Sequence, residues 1–483
     1  SIEAFREHLR SRLDLIPRYR QKLAFPPLQT GRPMWVDDPN FNLDYHVRNT
    51  ALPSPGSDAQ LLQLAARISS QRLDRSKPLW ELWLVQGLEG NRFAMIGKTH
   101  HAVIDGISGV DIAQVILDIS PAPTPPGVDL DEWQPHPEPT SAQLIASGVR
   151  GIASAGEELV SGVFKAINRP ASAIDKLKEA AEGVGEIVWA GLNPAPTTPL
   201  NVKIGPHRRF AVIDNQLEDY KLVKNAFGTT VNDVVLAVVS GALRTFLRSR
   251  GVRTDGLELR ALVPVSVRSE DEHNQLGNRL AAMRGPLPVY IEDPVQRLQF
   301  IKQEMDGIKE SKQALGAEVI AGAQNFAPPT LLAQASRLNF STRLFNLIVT
   351  NVPGPQFPLY LMGREMLEIY PVAFLPENHA LAIAIMSYNG EVNFGLLADY
   401  DAVPDVEFIG EALQESLAQL VRAAKKKQKP LNSLNLPKTV KASGWTRLLK
   451  LPVRTNAGQR AVVTGAARGF AGGGGIDDLA DHR

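Results

Sequence analysis

Prolines crowd the chain at positions 121, 123, 125, 126, 135, 137 and 139, and again at Pro194, Pro196 and Pro199. Each lacks a backbone N–H and fixes φ near −65°, so neither stretch can join a helix interior or a central strand. Any fold for these 483 residues must break at both places. The breakers bracket residues 141–192, rich in Ala, Gly and Val with sparse charge, which read as weakly amphipathic helix. The expected organisation is therefore a first αβ unit over 1–120, a Pro-rich and helical crossover connector over 121–199, a second αβ unit over 200–435, and a flexible tail over 436–483. That tail ends in a glycine run at 472–475 and contains a Val-Thr-Gly-Ala-Ala-Arg-Gly stretch at 463–469. The latter has the look of a dinucleotide-binding start, but lacks the following βαβ length and acidic residue that such a site needs.

Within the first unit, apolar residues spaced along 2–23 predict an amphipathic helix, and 58–70 predicts another. Residues 81–85 and 92–98 read as two strands around a glycine-containing turn at 87–91. The second strand ends at Thr99, His100 and His101, and residues 107–119 look helical. In the second unit, 210–213, 257–267 and 347–351 read as strands, and 231–248, 294–315 and 406–427 as helices. Residues 380–387 and 392–397 flank Asn389-Gly390, a strong signal for a two-residue hairpin.

Apolar residues make up 44% and charged residues 21%, enough to bury substantial cores. A net charge of +1 gives no overall field for nucleic acid, so no nucleic-acid partner is expected. The chain has no cysteine, which excludes disulfides, thiolate metal sites and a cysteine nucleophile. No signal-peptide pattern opens it, and the longest clean apolar run, 234–243, is far short of a membrane span, so a cytoplasmic, soluble or peripheral protein is expected.

His100-His101-x-x-x-Asp105-Gly106 stands where a strand hands over to a helix. A strand end is rigid, and the loop after it can present an imidazole into a cleft. Histidine is mostly neutral at pH 7 and can accept a proton. Asp105 is a favoured N-cap, and Gly106 permits a tight backbone. Two quieter readings stand beside this one. The residues could ligate a metal, although adjacent side chains on a strand end point to opposite faces, and no metal is expected. They could also form a turn whose imidazoles are merely hydrogen-bonded. Neither a G-x-S-x-G elbow, a P-loop nor a His-Glu-x-x-His occurs. Ser108 reads as a helix-terminus hydroxyl.

Several further segments are distinctive: Pro78-Leu79-Trp80; Pro199-Leu200-Asn201 with Arg208-Arg209; Asn232-Asp233-Val234; Val263-Pro264-Val265-Ser266 with Gly277-Asn278; Thr350-Asn351-Val352-Pro353-Gly354-Pro355; and Ser387-Tyr388-Asn389-Gly390 leading to Ala398-Asp399-Tyr400-Asp401. With the histidine motif, and in this order, the chain resembles the bacterial bifunctional wax ester synthase/diacylglycerol acyltransferase family. Counted from His100 the spacing would instead be His-x4-Asp, and it is these other segments that decide.

The resemblance implies an α/β (α+β) fold of the coenzyme A-dependent acyltransferase superfamily. Two chloramphenicol-acetyltransferase-like domains would form a V with an active-site channel between them. It implies direct transfer from acyl-coenzyme A to diacylglycerol or a long-chain alcohol, with no acyl-enzyme and no resident cofactor. His101 would be the general base, with His100, Asp105 and Gly106 supporting the loop. Pro78, Leu79, Trp80, Asn232, Asp233, Asn351, Pro353 and Gly354 would line the substrate channel. Core packing is equally open for Trp80, and at Asn232-Asp233 a helix cap is as open as an amide supporting the oxyanion. The family also carries a strand before the first helix, which is expected to be missing here. Water-insoluble substrates imply contact with a membrane or lipid droplet, for which the basic connector helices and the run 422–429 are candidates. A condensation-type enzyme, an acyltransferase with another acceptor, and a lipid-binding protein with an inactive site are the competing functions.

Overall fold

The computed structural model describes residues 1–27, 33–104, 115–122, 133–140, 142–144, 193–266, 280–310, 341–428 and 461–465. The expected helices at 107–119 and 141–192, together with Gly277 and Asn278, fall wholly or mainly outside these residues.

The chain opens with α1 (Ile2–Arg10), shorter than its periodicity predicts. Two 3₁₀ turns follow, Leu13–Leu15 and Pro17–Arg20, because Pro17 cannot continue an α-helix. A small antiparallel ribbon, β1 (Gln21–Ala24) with β2 (Met34–Asp37), leads through α2 (Leu43–His46) to β3 (Val47–Ala51). Helix α3 (Asp58–Ser70) starts in a capping box, in which Ser57 and Gln60 satisfy each other's backbone donors. The predicted hairpin is present as β4 (Trp80–Leu88) antiparallel to β5 (Arg92–Thr99), and the short helix α4 (His101–Ile104) follows at once.

The second half holds β6 (Arg208–Gln216), α5 (Leu217–Phe227), α6 (Val231–Ser249), β7 (Leu259–Ser266), β8 (Leu280–Leu287) and α7 (Pro294–Glu310). After these come β9 (Leu347–Pro353), β10 (Tyr360–Leu361), β11 (Arg364–Pro371), β12 (Leu381–Tyr388), β13 (Glu391–Asp399) and α8 (Val406–Gln428). Asn389 and Gly390 make the β12–β13 turn with φ of 46° and 91°, as a tight hairpin requires.

Two six-stranded mixed sheets result. The second runs β6-β13-β12-β9-β7-β8, and its apolar face is covered by α5, α6 and α8 in one large core. The first runs β10-β11-β14-β5-β4-β3, where β14 is Ala461–Gly465. One face of it packs on α1 and the 3₁₀ turns through Phe5, Leu9, Tyr19, Trp80 and Met95; the other meets α3 and the edge of the second sheet through Ile68, Ile96, Phe210 and Leu397.

Two features depart from the expected boundaries. β10 and β11, which the sequence assigns to the second unit, belong to the first sheet. Five residues of the expected flexible tail are a strand in that sheet as well. Among the described residues no single helix is long and apolar enough to cross a membrane. The apolar α6 is a core helix, with Val234 to Val239 completely buried.

Candidate active site

The histidine turn is fixed by backbone chemistry. As β5 ends, the His100 N–H donates to the Leu79 carbonyl at 2.9 Å, tying the turn to the neighbouring strand. The His100 carbonyl accepts from Val103 N–H at 2.9 Å, which closes the first turn of α4. His100 Nδ1 accepts from Ala102 N–H at 3.1 Å, so this imidazole acts as the helix cap and carries any single proton on Nε2. His100 thus caps the helical turn whose first residue is His101. The side chain of His101, and all of Asp105 and Gly106, lie outside the described residues.

Pro78, Leu79 and Trp80 brace this turn from inside the domain. Trp80 is 1% exposed; its indole N–H donates to the Tyr19 carbonyl at 2.7 Å, and its ring stacks on His46 with centroids 4.5 Å apart. His46 Nδ1 lies 2.8 Å from the Trp80 carbonyl, and burial pushes its pKa down to about 4. Leu79 is equally buried. Pro78, Leu79 and Trp80 are thus buried, with the Trp80 ring packed between Tyr19 and His46.

The start of α6 shows which residues cap the helix at Asn232-Asp233. Thr230 is the N-cap, accepting from Asp233 N–H at 3.1 Å, while the Asp233 carboxylate accepts from Thr230 N–H at 2.8 Å. This reciprocal pair is a complete capping box. Asp233 is 1% exposed and is held in this cap. Asn232 takes no part in capping. Its Oδ1 instead accepts from Asn351 Nδ2 at 3.4 Å, across to the half-buried end of β9.

The rest of the Asn351-Val-Pro-Gly-Pro turn rests on the β12–β13 hairpin. Gly354 N–H donates to Ser387 Oγ at 3.2 Å, and Gly390 N–H donates to Gln356 Oε1 at 3.0 Å. A Cβ on Gly354 would fall 2.2 Å from the Ser387 carbonyl oxygen, so only glycine fits. Gly354 is half-buried and Pro353 exposed. The Asn232 and Asn351 motifs meet at the side-chain hydrogen bond between those two residues.

Other motifs explain each other in the same way. Arg208 reaches Asp399 at 3.5 Å, and Asp399 accepts from the N–H groups of Gly205, Asp401 and Ala402. Arg209 lies over the Tyr400 ring at 3.9 Å. Asn201 is held by Asn346, a completely buried residue that also ties down the Pro196 carbonyl and the Arg260 N–H. Sequence reasoning missed Asn346, since a lone asparagine after a phenylalanine carries no local signal. A cavity of about 850 Å³ lies between α3 and β6, lined by Arg67, Arg209, Phe210 and Tyr400; among the described residues, His100, Asn232 and Asn351 do not line it.

Comparison with known proteins agrees with this assembly of motifs. The wax ester synthase/diacylglycerol acyltransferase catalytic domain matches residues 1–235, and the WS/DGAT C-terminal domain matches residues 276–421. The probable diacylglycerol O-acyltransferase tgs1 of Mycobacterium tuberculosis is 34% identical over 428 residues, covering 88% of this chain and 89% of that protein. The putative diacylglycerol O-acyltransferase Mb3761c of Mycobacterium bovis is 36% identical over 425 residues, covering 87% and 91%. Among solved structures, the wax ester synthase/diacylglycerol acyltransferase of Marinobacter aquaeolei VT8 superposes with a TM-score of 0.57 at 29% identity, covering 84% of this chain and 86% of that one. The chain is an acyltransferase and belongs to the wax ester synthase/diacylglycerol acyltransferase family.

Proposed function

We propose that this acyltransferase moves the acyl group of acyl-coenzyme A directly onto the hydroxyl of diacylglycerol or a long-chain alcohol, with His101 as general base. The alcohol proton passes to the imidazole as oxygen attacks the thioester carbon. The carbon–sulfur bond then breaks, and the departing coenzyme A sulfur takes the proton back from His101. No acyl-enzyme and no resident cofactor enter this scheme, and acyl-coenzyme A is a co-substrate. The thioester oxygen gains negative charge on the way, and the Asn232 amide is the group assigned to stabilise it.

The observation that carries the reading is the division of labour at both motifs. His100 caps the turn that begins at His101, and Asp233 is held in the helix box while the neighbouring Asn232 takes no part in it and faces Asn351. Asp105 and Gly106 are assigned to holding the loop. The protein would work in the cytoplasm, peripherally at a membrane or lipid inclusion, because both acceptor classes are insoluble in water. Retention on anionic liposomes at moderate salt is the expected result of co-sedimentation, and free passage would remove the peripheral assignment.

The central test is thiol release from palmitoyl-coenzyme A with hexadecanol or dioleoylglycerol, comparing wild type with His101→Ala. Acceptor-dependent release that the substitution abolishes is expected, and the two acceptors rank wax ester against triacylglycerol synthesis. Lipid binding by folded wild-type protein without any release would point instead to an inactive, lipid-coating role.

A further inference from the structure

A cavity of about 940 Å³ lies among α6, α8 and the first turn of α7, and His100, Asn232 and Asn351 do not line it. Its most buried charge is Arg297, 2% exposed. Arg297 Nε donates to the Ala237 carbonyl at 3.2 Å, and Nη1 to the Ile291 and Glu292 carbonyls at 2.9 and 3.4 Å. Among the described residues Nη2 has no acceptor, and no carboxylate reaches ion-pair distance of this guanidinium. The carboxylates in the same wall are engaged elsewhere: Glu292 with Arg244 at 3.0 Å, Asp293 with the N–H groups of Val295 and Gln296, and Glu415 with Arg422. Ser416 is a second unmatched group in this wall: it is 4% exposed, and its Oγ has no hydrogen-bond partner. Gly241 lets the two approach, since a Cβ there would stand 2.6 Å from Arg297 Nη2 and 2.3 Å from Ser416 Oγ.

A buried guanidinium is costly without a counter-charge. Burial pulls the Arg297 pKa down to about 10, so the group still carries its charge at pH 7. Guanidinium only donates, which repels a metal cation and calls for an acceptor. The wall around it is built from arginines, carboxylates and hydroxyls, a poor surface for an alkyl chain. Phosphate is the oxyanion that the arginine fork fits, and a hydroxyl beside the fork can donate to it as well. We propose that this cavity binds a phosphate group, with Arg297 as its buried anchor, Ser416 beside it and the exposed Arg248 at the rim. Inorganic phosphate and the phosphate ester of a larger molecule share this chemistry. The site does not rest on the assignment of His101.

The test is equilibrium dialysis of the full chain against radiolabelled inorganic phosphate at fixed ionic strength, which needs no turnover. Saturable binding is expected. Arg297→Met should abolish it, and Arg297→Lys, which keeps the charge but loses the fork, should weaken it about tenfold. Arg297 also holds three backbone carbonyls, so Arg248→Glu supplies a variant that leaves the interior intact. Its reversed charge at the rim should weaken phosphate binding by about tenfold. Unlabelled coenzyme A, which carries phosphate esters, is added as competitor. Displacement of the label assigns the site to an ester and undiminished label assigns it to free phosphate, and the site stands in both cases. No saturable binding to folded wild type overturns the proposal, as does binding that Arg248→Glu and the folded Arg297 variants leave unchanged.

Discussion

Asn351 Nδ2 donates to Asn232 Oδ1 across 3.4 Å, joining the end of a strand to the first turn of a helix 119 residues away in sequence. An amide that accepts through its oxygen presents its NH₂ elsewhere. The pairing therefore sets the direction in which Asn232 can donate.

Capping and the proposed oxyanion role of Asn232 at this helix start are separable by mutation. Asn232→Ala should lower kcat by about 100-fold, the usual loss of one oxyanion donor, with the thermal midpoint unchanged. Asn351→Ala should cost less, about tenfold, because the donor survives and only its orientation is lost. Thr230→Ala should do the reverse, removing about 1 kcal/mol of stability while the folded enzyme turns over normally. Steady-state kinetics and denaturant melts on the three variants read the pattern. A drop in stability for Asn232→Ala without a kinetic effect would return that residue to a structural role.

A second test concerns the contact between the sheets. A Cβ on Gly395 in β13 would lie 1.8 Å from the carbonyl oxygen of Pro371, the last residue of β11. That neighbour is backbone and cannot swing aside. Gly395→Ala is expected to cost about 1–3 kcal/mol, the range for overpacking a tight interior. An unchanged denaturant midpoint would mean that β11 yields freely to the second sheet.

The pH dependence of stability has a named source in His46, which is 1% exposed with a pKa pushed down to about 4. Its folded value lies below the ordinary 6.5, so between these limits the unfolded chain binds the extra proton. Stability from this group is then complete above pH 6.5 and is lost as pH falls toward 4, by roughly 3 kcal/mol. His46→Phe keeps the ring between Phe41 and Trp80. It should melt earlier at pH 8 yet lose less between pH 6.5 and 4.5. Identical slopes for the two proteins would exclude His46 as the source.

Much of this was legible in sequence where the signal is local. The β4–β5 hairpin, the Asn389-Gly390 turn and the capped helices α3 and α6 follow from alternation, turn residues and caps, all of which act within a few positions. Trp80 shows the limit: proline, leucine and tryptophan before a strand do not say which face is core, and only Tyr19 and His46, brought from elsewhere, decide it. Asp233 and Asn232 are adjacent, yet one is buried in a cap and the other faces a strand from the far half. β8, α5 and β11 were not marked by strong periodicity, and their placement depends on partners distant in sequence.

The Arg208–Asp399 pair yields a fourth expectation. Asp399 is 2% exposed and accepts from three backbone N–H groups besides meeting Arg208. Asp399→Ala should destabilise the protein by about 3–5 kcal/mol through the unpaired groups it leaves. The KM of the remaining folded enzyme for acyl-coenzyme A should not change. A raised KM at full stability would give this motif a substrate-binding role instead.

β10 and β11 are encoded at Tyr360–Leu361 and Arg364–Pro371, but they sit in a sheet begun by residues 47–99. A ribosome adding about 5–20 residues per second needs on the order of 10–60 s to travel from the end of β5 to the end of β11. For that interval the sheet begun by β3, β4 and β5 lacks β10 and β11. A chaperone meeting the nascent chain would meet that unfinished sheet. How long it stays unfinished is then set by the distance along the messenger between parts of one sheet, rather than by the stability of the finished enzyme.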